Sequence, residues 1–423
     1  MLVEMSVTNF RSLRDMQTFS MIKGKGDELT TSNTFEVRAA NEFQLLRSAA
    51  IYGPNAGGKS NFLRALRTMK RVVLESAAGL QRGDLLPVTP FRLSAATRQA
   101  PSEFEVTFIV DGVRYQYGFS ATPERIHDEW LLAYPKGRAQ RWFGREWNAE
   151  KKCHEWELGN NLVGEKQLWQ KSTRDNALFL STAVQLNSEQ LQPIFDWFKN
   201  TLRLTNVGGW SPSFSASLCE NDEKSRVMDF LRAADIHIDD IQVETKTFDF
   251  NALPDDMPEA LRAAIAEDMK EKKILDIKTV HKDSDGTAVI FDFEDESDGT
   301  RKLFSFAGPW IDALDNGYVL FIDELHDNLH PRLVQFLVQL FHSHETNPKN
   351  AQLIFTTHET SILNQEVFRR DQIWFCEKDK GQATVLYPLT DFSPRKGREN
   401  LELAYLSGRY GALPFIRPLQ EQT

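Results

Sequence analysis

The residues Gly53-Pro54-Asn55-Ala56-Gly57-Gly58-Lys59-Ser60 are the densest concentration of possible chemistry in the sequence. They fit G-x-x-x-x-G-K-[ST], a pattern whose glycines let backbone N–H groups turn inward around phosphate oxygens. In it Asn55, Ala56, Gly57 and Gly58 offer backbone, Lys59 a point charge for the outer phosphates and Ser60 a hydroxyl for Mg²⁺, with Asn61 next in line. Asp323-Glu324 closes the apolar run 318–322. An acid at that position can hold the metal, and the next one can act as general base toward a water, which gives Asp323 and Glu324 distinct roles. His358 follows a second apolar run, 352–357, where it could hydrogen-bond a terminal phosphate or the attacking water. Ser297 and Gly299 precede a helical stretch and could present a hydroxyl and N–H groups to an anion, although the residues alone describe an ordinary N-cap.

Such residues need elements to hold them. The strand 43–52 runs directly into Gly53, and 61–69 carries apolar residues at helical spacing, so strand, glycine loop and helix follow one another. The positive end of that helix then points at the loop. The continuous apolar runs 318–322 and 352–357 read as strands buried on both faces, with a helix over 333–344 between them. Strands alternating with helices imply a mostly parallel α/β sheet. Elsewhere 2–7 alternates as a strand, and 104–110 with 113–119 forms a hairpin around Asp111-Gly112. Further strands are expected at 274–281 and 287–294 and a helix at 301–315. The middle, 166–273, reads as mostly helical, with segments at 176–204 (broken near Pro193), 224–234 and 258–273. Heptads sustained enough for a coiled coil are absent.

At 423 residues the chain exceeds what one core holds, roughly 250–300 residues, so two lobes or a lobe with an insertion are expected. The expected division is 1–130 as a first lobe, 131–285 as an inserted, mainly helical region for dimerisation or partner binding, 286–395 as a second lobe, and 396–423 as a tail. A formal net charge of −10 gives no global attraction to nucleic acid, so such a role needs a local patch. The candidate is 136–152, with Lys136, Arg138, Arg141, Trp142, Phe143, Arg145, Trp147, Lys151 and Lys152. Basic residues interleaved with aromatics can bind single strands, and they equally describe a hairpin with one apolar face. The three scattered cysteines, the lack of a signal peptide and the lack of a long apolar span point to a cytoplasmic protein without membrane contact.

The order Asn9-Phe10-Arg11-Ser12, Gly53 to Ser60, Ser297 to Arg301, Phe321 to Glu324, Leu329-His330-Pro331 and Thr357-His358 resembles ABC-type ATPases of the SMC, RecF and OLD group. Within that group the chain is similar to the prokaryotic AAA-15/AAA-21 ATPases, including RloA-type and AbiL-type abortive-infection proteins. The likeness there rests on Ser297-Asp298-Gly299-Thr300-Arg301, Phe321-Ile322-Asp323-Glu324-Leu325 and Tyr405-Leu406-Ser407-Gly408-Arg409-Tyr410-Gly411-Ala412-Leu413-Pro414.

The resemblance implies a P-loop α/β fold like an ABC or SMC head, with ATP and Mg²⁺ as cofactors and Arg11 near the nucleotide. Ser297 and Gly299 would be the signature that closes on ATP held by a second copy, Asp327 would lie in the crossing loop, and His358 would be the switch histidine. It further implies a homodimer or higher oligomer. The signature ordinarily begins with leucine, where Glu296 stands here. Gln81 and Gln116 are candidates for the family's loop glutamine, without a context that selects either. Only 359–423 follows His358, shorter than a nuclease domain of ordinary size (~100–150 residues). A nuclease or Toprim-like effector is therefore expected on a separate chain, and Glu377 and Asp379 read as a surface turn. The resulting expectation is an ATPase sensor in anti-phage defence. A RecF-like DNA-repair ATPase and a nucleotide-gated scaffold with little turnover are the alternatives.

Overall fold

A computed structural model of the chain describes residues 1–38, 42–205, 209–246, 257–259, 261–262 and 274–415. The chain divides into two compact units. One comprises Met1–Val207, Ala313–Asp327 and Val334–Thr423, and the other Gly208–Asp312 and Asn328–Leu333.

The first unit is built on two sheets. Seven antiparallel strands lie in the order Cys153–Leu158, Gln140–Asn148, Ile126–Tyr134, Val113–Ala121, Ser102–Val110, Leu2–Thr8 and Gln17–Ser20. Alternation decides which face is inside: Phe104, Val106 and Phe108 are fully buried along one strand. The expected hairpin closes through Asp111 and Gly112, whose φ values of 49° and 74° match the right-handed twist of the paired strands. The expectation of a mainly helical region over 131–285 is corrected here. Strands continue this sheet to Leu158, and only the part after 165 carries helices, at Lys166–Ser172, Phe179–Gln185, Gln192–Asp196, Ser213–Glu220 and Lys224–Ala233. The span 176–204 is also broken more than expected, ending in the short strand Leu202–Leu204.

The second sheet has six strands in the order Leu202–Leu204, Val319–Ile322, Gln352–Thr356, Ser48–Tyr52, Ile373–Lys378 and Thr384–Pro388. The first five run parallel and the last antiparallel. Ser48–Tyr52, Val319–Ile322 and Gln352–Thr356 are buried at every position, as their apolar runs require. The expected single strand 43–52 is two strands. Glu42–Leu46 pairs with Thr34–Arg38, and Ser48–Tyr52 enters the parallel sheet. The break falls at Arg47, whose buried guanidinium donates to the Thr34 and Asn347 carbonyls at 3.3 and 3.2 Å. The helix Lys59–Glu75 buries Phe62, Leu66, Met69 and Val73, spaced along one face. The parallel strands Ser48–Tyr52, Val319–Ile322 and Gln352–Thr356 lead into the glycine loop, Asp323-Glu324 and His358, so all three leave the carboxyl edge of one sheet.

The second unit contains a three-stranded antiparallel sheet, Asp240–Lys246, Ile274–Lys282 and Ala288–Asp292. It also holds the helices Ser213–Glu220 and Lys224–Ala233, and the division between units falls within the helix Asp298–Asn316. The helix expected over 258–273 lies largely outside the described residues. No helix among the described residues is long and apolar enough to cross a membrane.

Candidate functional site

The glycine loop is a close-fitting piece of backbone. At Gly53, φ is 153° and a Cβ would lie 2.1 Å from the Cys376 carbonyl oxygen. At Gly58, φ is 115° and a Cβ would meet Thr384 Oγ1 at 2.0 Å. Both positions demand glycine for the conformation and for the space. The loop is braced from outside. Thr384 Oγ1 lies 3.0 Å from the Gly57 carbonyl and 2.8 Å from Ser12 Oγ, and Asn61 Nδ2 donates to Ser12 Oγ at 2.8 Å. The segment Asn9 to Ser12 is itself fixed by the Asn9 amide, which donates to the Thr97, Ala100 and Pro101 carbonyls and accepts from the Phe91 N–H.

Lys59 is buried, and its ammonium donates to the Gly53 carbonyl at 2.8 Å, the Pro54 carbonyl at 3.2 Å and His358 Nε2 at 3.0 Å. Burial lowers the Lys59 pKa, while Cys376, Glu324 and Asp323 act in the opposite sense. The His358 pKa is lowered to about 4 by burial first, then by Lys59 and His326. His358 is thus a neutral imidazole at pH 7, and since an ammonium has only donors, Nε2 is its acceptor nitrogen. Glu324 Oε1 stands 3.9 Å from that same nitrogen.

Thr356 joins the two acids to the neighbouring strand. Its hydroxyl donates to Asp323 Oδ1 at 2.7 Å and accepts from the Glu324 N–H at 2.8 Å. Glu324 has a φ of 56°, in the left-handed region, so the chain turns sharply where its carboxylate is presented. The sequence offered no signal for Thr356 beyond its place at the end of a buried strand.

Of these groups Lys59 and Glu324 line a cleft of about 750 Å³, together with the rest of Pro54 to Asn61, Arg64, Glu377, Lys378, Gln382 and Leu413. Glu377 corrects the sequence reading. It is part of this wall rather than a surface turn, and its Oε2 accepts from the Ala412 N–H at 2.6 Å. Arg11 is largely exposed and is not among the lining residues; its partial burial first, then repulsion from Arg64 and Arg92, lowers its pKa. Gln81 and Gln116 are not among the lining residues, and the Gln116 amide oxygen accepts from Tyr134 at 2.9 Å.

Ser297 and Gly299 belong to the second unit. Ser297 Oγ accepts from the Thr300 N–H at 3.1 Å and lies 2.8 Å from Thr300 Oγ1, a local cap of the helix Asp298–Asn316. Glu296, where leucine was expected, has its own task. Its Oε1 accepts from Thr279 at 2.6 Å and is paired with His281 at 2.7 Å. His330 Nδ1 accepts from the Arg332 N–H at 3.2 Å, a local structural bond.

The stretch 136–152 does not form the basic, stacking surface that one reading required. Arg145 is buried and paired with Glu129 at 3.1 Å, Trp142 is buried against Tyr115, and Arg141 is paired with Glu157 at 2.6 Å. Trp147 is covered by the Arg125 guanidinium, 4.1 Å from its ring. The cavity beside these strands sets Arg141 and Arg145 among the carboxylates of Glu103, Asp128, Glu129, Glu146, Glu155 and Glu157, so acids outnumber bases in its lining.

A glycine loop between a parallel strand and a helix, with a lysine, two acids and a histidine from neighbouring strand ends, defines a P-loop nucleotide-binding domain of mixed α/β fold. The chain belongs to the family described as AAA domain, putative AbiEii toxin, Type IV TA system, which matches residues 48–364. None of the curated proteins matches it. Among solved structures it is similar to an SMC head bound to the C-winged helix domain of ScpA, at 14% identity and a TM-score of 0.40, covering 92% of this chain and 97% of that one. It is also similar to the SMC head domain from Thermotoga maritima, at 13% identity and a TM-score of 0.39, covering 92% and 98%. A third is an SMC head with an extended coiled coil bound to the C-terminal domain of ScpA derived from Pyrococcus furiosus, at 11% identity and a TM-score of 0.39, covering 92% and 96%.

Proposed function

We propose that this chain binds ATP with Mg²⁺ in the cleft and hydrolyses it, acting as a nucleotide-driven switch for a separate effector protein in anti-phage defence. The observation that carries the reading is the convergence of Lys59, Glu324 and His358 at the mouth of a loop whose backbone only glycine permits.

The backbone of Asn55 to Gly58 and the positive end of the helix Lys59–Glu75 hold the phosphates. Lys59, held now by two carbonyls and an imidazole, exchanges one of them for a phosphate oxygen. Ser60 and Asp323 would hold Mg²⁺. Among the described residues no cluster of three or more His, Cys, Asp or Glu side chains suits a metal. One hydroxyl and one carboxylate fit magnesium, which takes its remaining oxygens from phosphate and water and offsets phosphate charge when bound.

Glu324 takes a proton from the attacking water. The water oxygen bonds to the γ-phosphorus as the β–γ bridging bond breaks, leaving ADP and phosphate. Neutral His358 positions the water or the γ-phosphate. Ser297 and Gly299 of one copy close on the nucleotide of the other, with Asp327 in the loop between, so two ATP molecules join a two-fold pair. The family description, with its toxin–antitoxin setting, supports a partner on another chain.

Glu324→Gln tests the reading by steady-state hydrolysis. Turnover should fall by about 10²–10⁴ while ATP binding is retained. A wild type with negligible turnover, unchanged in the variant, would instead favour a nucleotide-gated scaffold.

A further inference from the structure

The segment Tyr405 to Pro414 has no part in the chemistry above, yet it is held against the cleft by more specific contacts than a tail needs. After the helix Leu401–Leu406 the backbone turns at Gly408 and Gly411, with φ values of 85° and 67°. A Cβ on Gly411 would meet Tyr387 Oη at 2.8 Å and Glu377 Oε2 at 3.0 Å. Tyr405 donates its hydroxyl to the Ala412 carbonyl at 2.8 Å, and Tyr387 donates to the Tyr410 carbonyl at 2.9 Å. The Phe375 ring stacks on Tyr405 at 5.3 Å and on Tyr410 at 5.6 Å, and Arg409 and Tyr410 both engage Glu399.

All of these contacts fix the backbone that leads into one residue. Leu413 is half-buried and lines the same cleft as the glycine loop, alongside Glu377, Lys378 and Gln382. Lys59, Ser60, Asn61 and Arg64 make the phosphate end of that cleft a set of polar donors, and Leu413 is the largest apolar side chain in its lining. A nucleoside requires the opposite chemistry at the other end: an apolar surface for a flat ring, with a few polar groups at its edge. Leu413 offers such a surface, and Gln382, in the same lining, carries a carboxamide with both a donor and an acceptor.

We propose that Leu413, positioned by the tail, is the contact for the base and ribose of the bound nucleotide. This deepens the ATP-binding reading and rests on it. The tail then senses occupancy directly, since the nucleotide bridges Leu413 and the glycine loop.

Calorimetry of the full chain with Mg²⁺ separates the contributions, using ATP and inorganic tripolyphosphate as ligands. Tripolyphosphate carries the same phosphates and no nucleoside. Leu413→Ala should weaken ATP by about ten-fold, the loss of an apolar contact, and leave tripolyphosphate unchanged. Leu413→Met should restore most of the ATP affinity. If Leu413→Ala weakens both ligands equally or neither, the base contact is wrong while the phosphate site stands. A change in assembly state with both affinities intact would place Leu413 in a protein contact and likewise overturn the proposal. Wild-type protein that binds neither ligand would overturn the nucleotide reading itself, and this one with it.

Discussion

The cleft and the Ser297 segment make hydrogen bonds of different reach. In the cleft, bonds join residues far apart in the chain: Lys59 to His358, Asp323 to Thr356, Ser12 to Thr384. The side-chain bonds of Ser297 and Asp298 stay within one helical turn, to Thr300 and from Arg301. The groups of the first region are largely buried and fixed by several strands, whereas Ser297 and Asp298 are exposed. A buried long-range network is arranged before any ligand arrives, while an exposed local cap offers donors that gain a role only when something outside the segment meets them.

The largest effect should come from separating the two regions genetically. Lys59→Ala and Ser297→Arg should each abolish ATP hydrolysis alone. If the signature of one copy serves the cleft of another, mixing the two variants in equal amounts should restore roughly a quarter of wild-type turnover, since half the pairs are mixed and each mixed pair keeps one intact site. A mixture as inactive as its parents would break the comparison by placing both regions in one chain's site.

A smaller effect tests the networks as networks. Thr356→Val leaves Asp323 and the Glu324 N–H without their shared partner, at a cost of about 2 kcal/mol in urea unfolding. Ser297→Ala removes only a cap, about 1 kcal/mol or less. Equal losses would mean that reach in sequence carries no extra stability.

A third test concerns pH. Burial lowers the pKa of His342 to about 3 and that of His358 to about 4, so both are neutral in the folded chain below the ordinary histidine value near ~6.5. At these two sites the unfolded chain binds protons that the folded chain refuses, so their contribution to stability should fall as pH drops from about 6.5 to 4 and be level above that. His342, whose Nε2 lies 2.8 Å from Ser48 Oγ, is wholly inside the cleft-bearing unit. His342→Gln should flatten the thermal-melting profile over this window, and an unchanged slope would assign the sensitivity elsewhere.

Much of the site was legible because its residues follow apolar runs too continuous to be anything but buried strands. The glycine loop, Asp323-Glu324 and His358 were each placed by the strand before them. What stayed hidden was set by partners remote in sequence. Glu377 reads as a turn acid until Ala412 returns to meet it, and Arg145 reads as a free cation until Glu129 is brought alongside by strand pairing. The strands Ile126–Tyr134 and Gln140–Asn148 were legible only in part, the second as one arm of a possible hairpin within 136–152, for a local reason. A bulge in Gln140–Asn148, opposite Leu131 and Leu132, leaves Trp142, Phe143, Gly144 and Arg145 buried in succession, so the period of two that marks a strand is lost there. Arg47 hid the boundary of the loop-bearing strand because a buried arginine between two apolar strands has no sequence signature apart from its carbonyl partners.

The place of Ser48–Tyr52 in its sheet constrains how the molecule is made. Its neighbours on both sides, Gln352–Thr356 and Ile373–Lys378, are translated some three hundred residues later. At ribosomal speeds of roughly 5–20 residues per second, a strand buried at every position waits about 15–60 s for a partner. Through that interval the nascent chain carries an unpaired apolar strand. Synthesis is therefore the stage at which this strand is most open to wrong pairing.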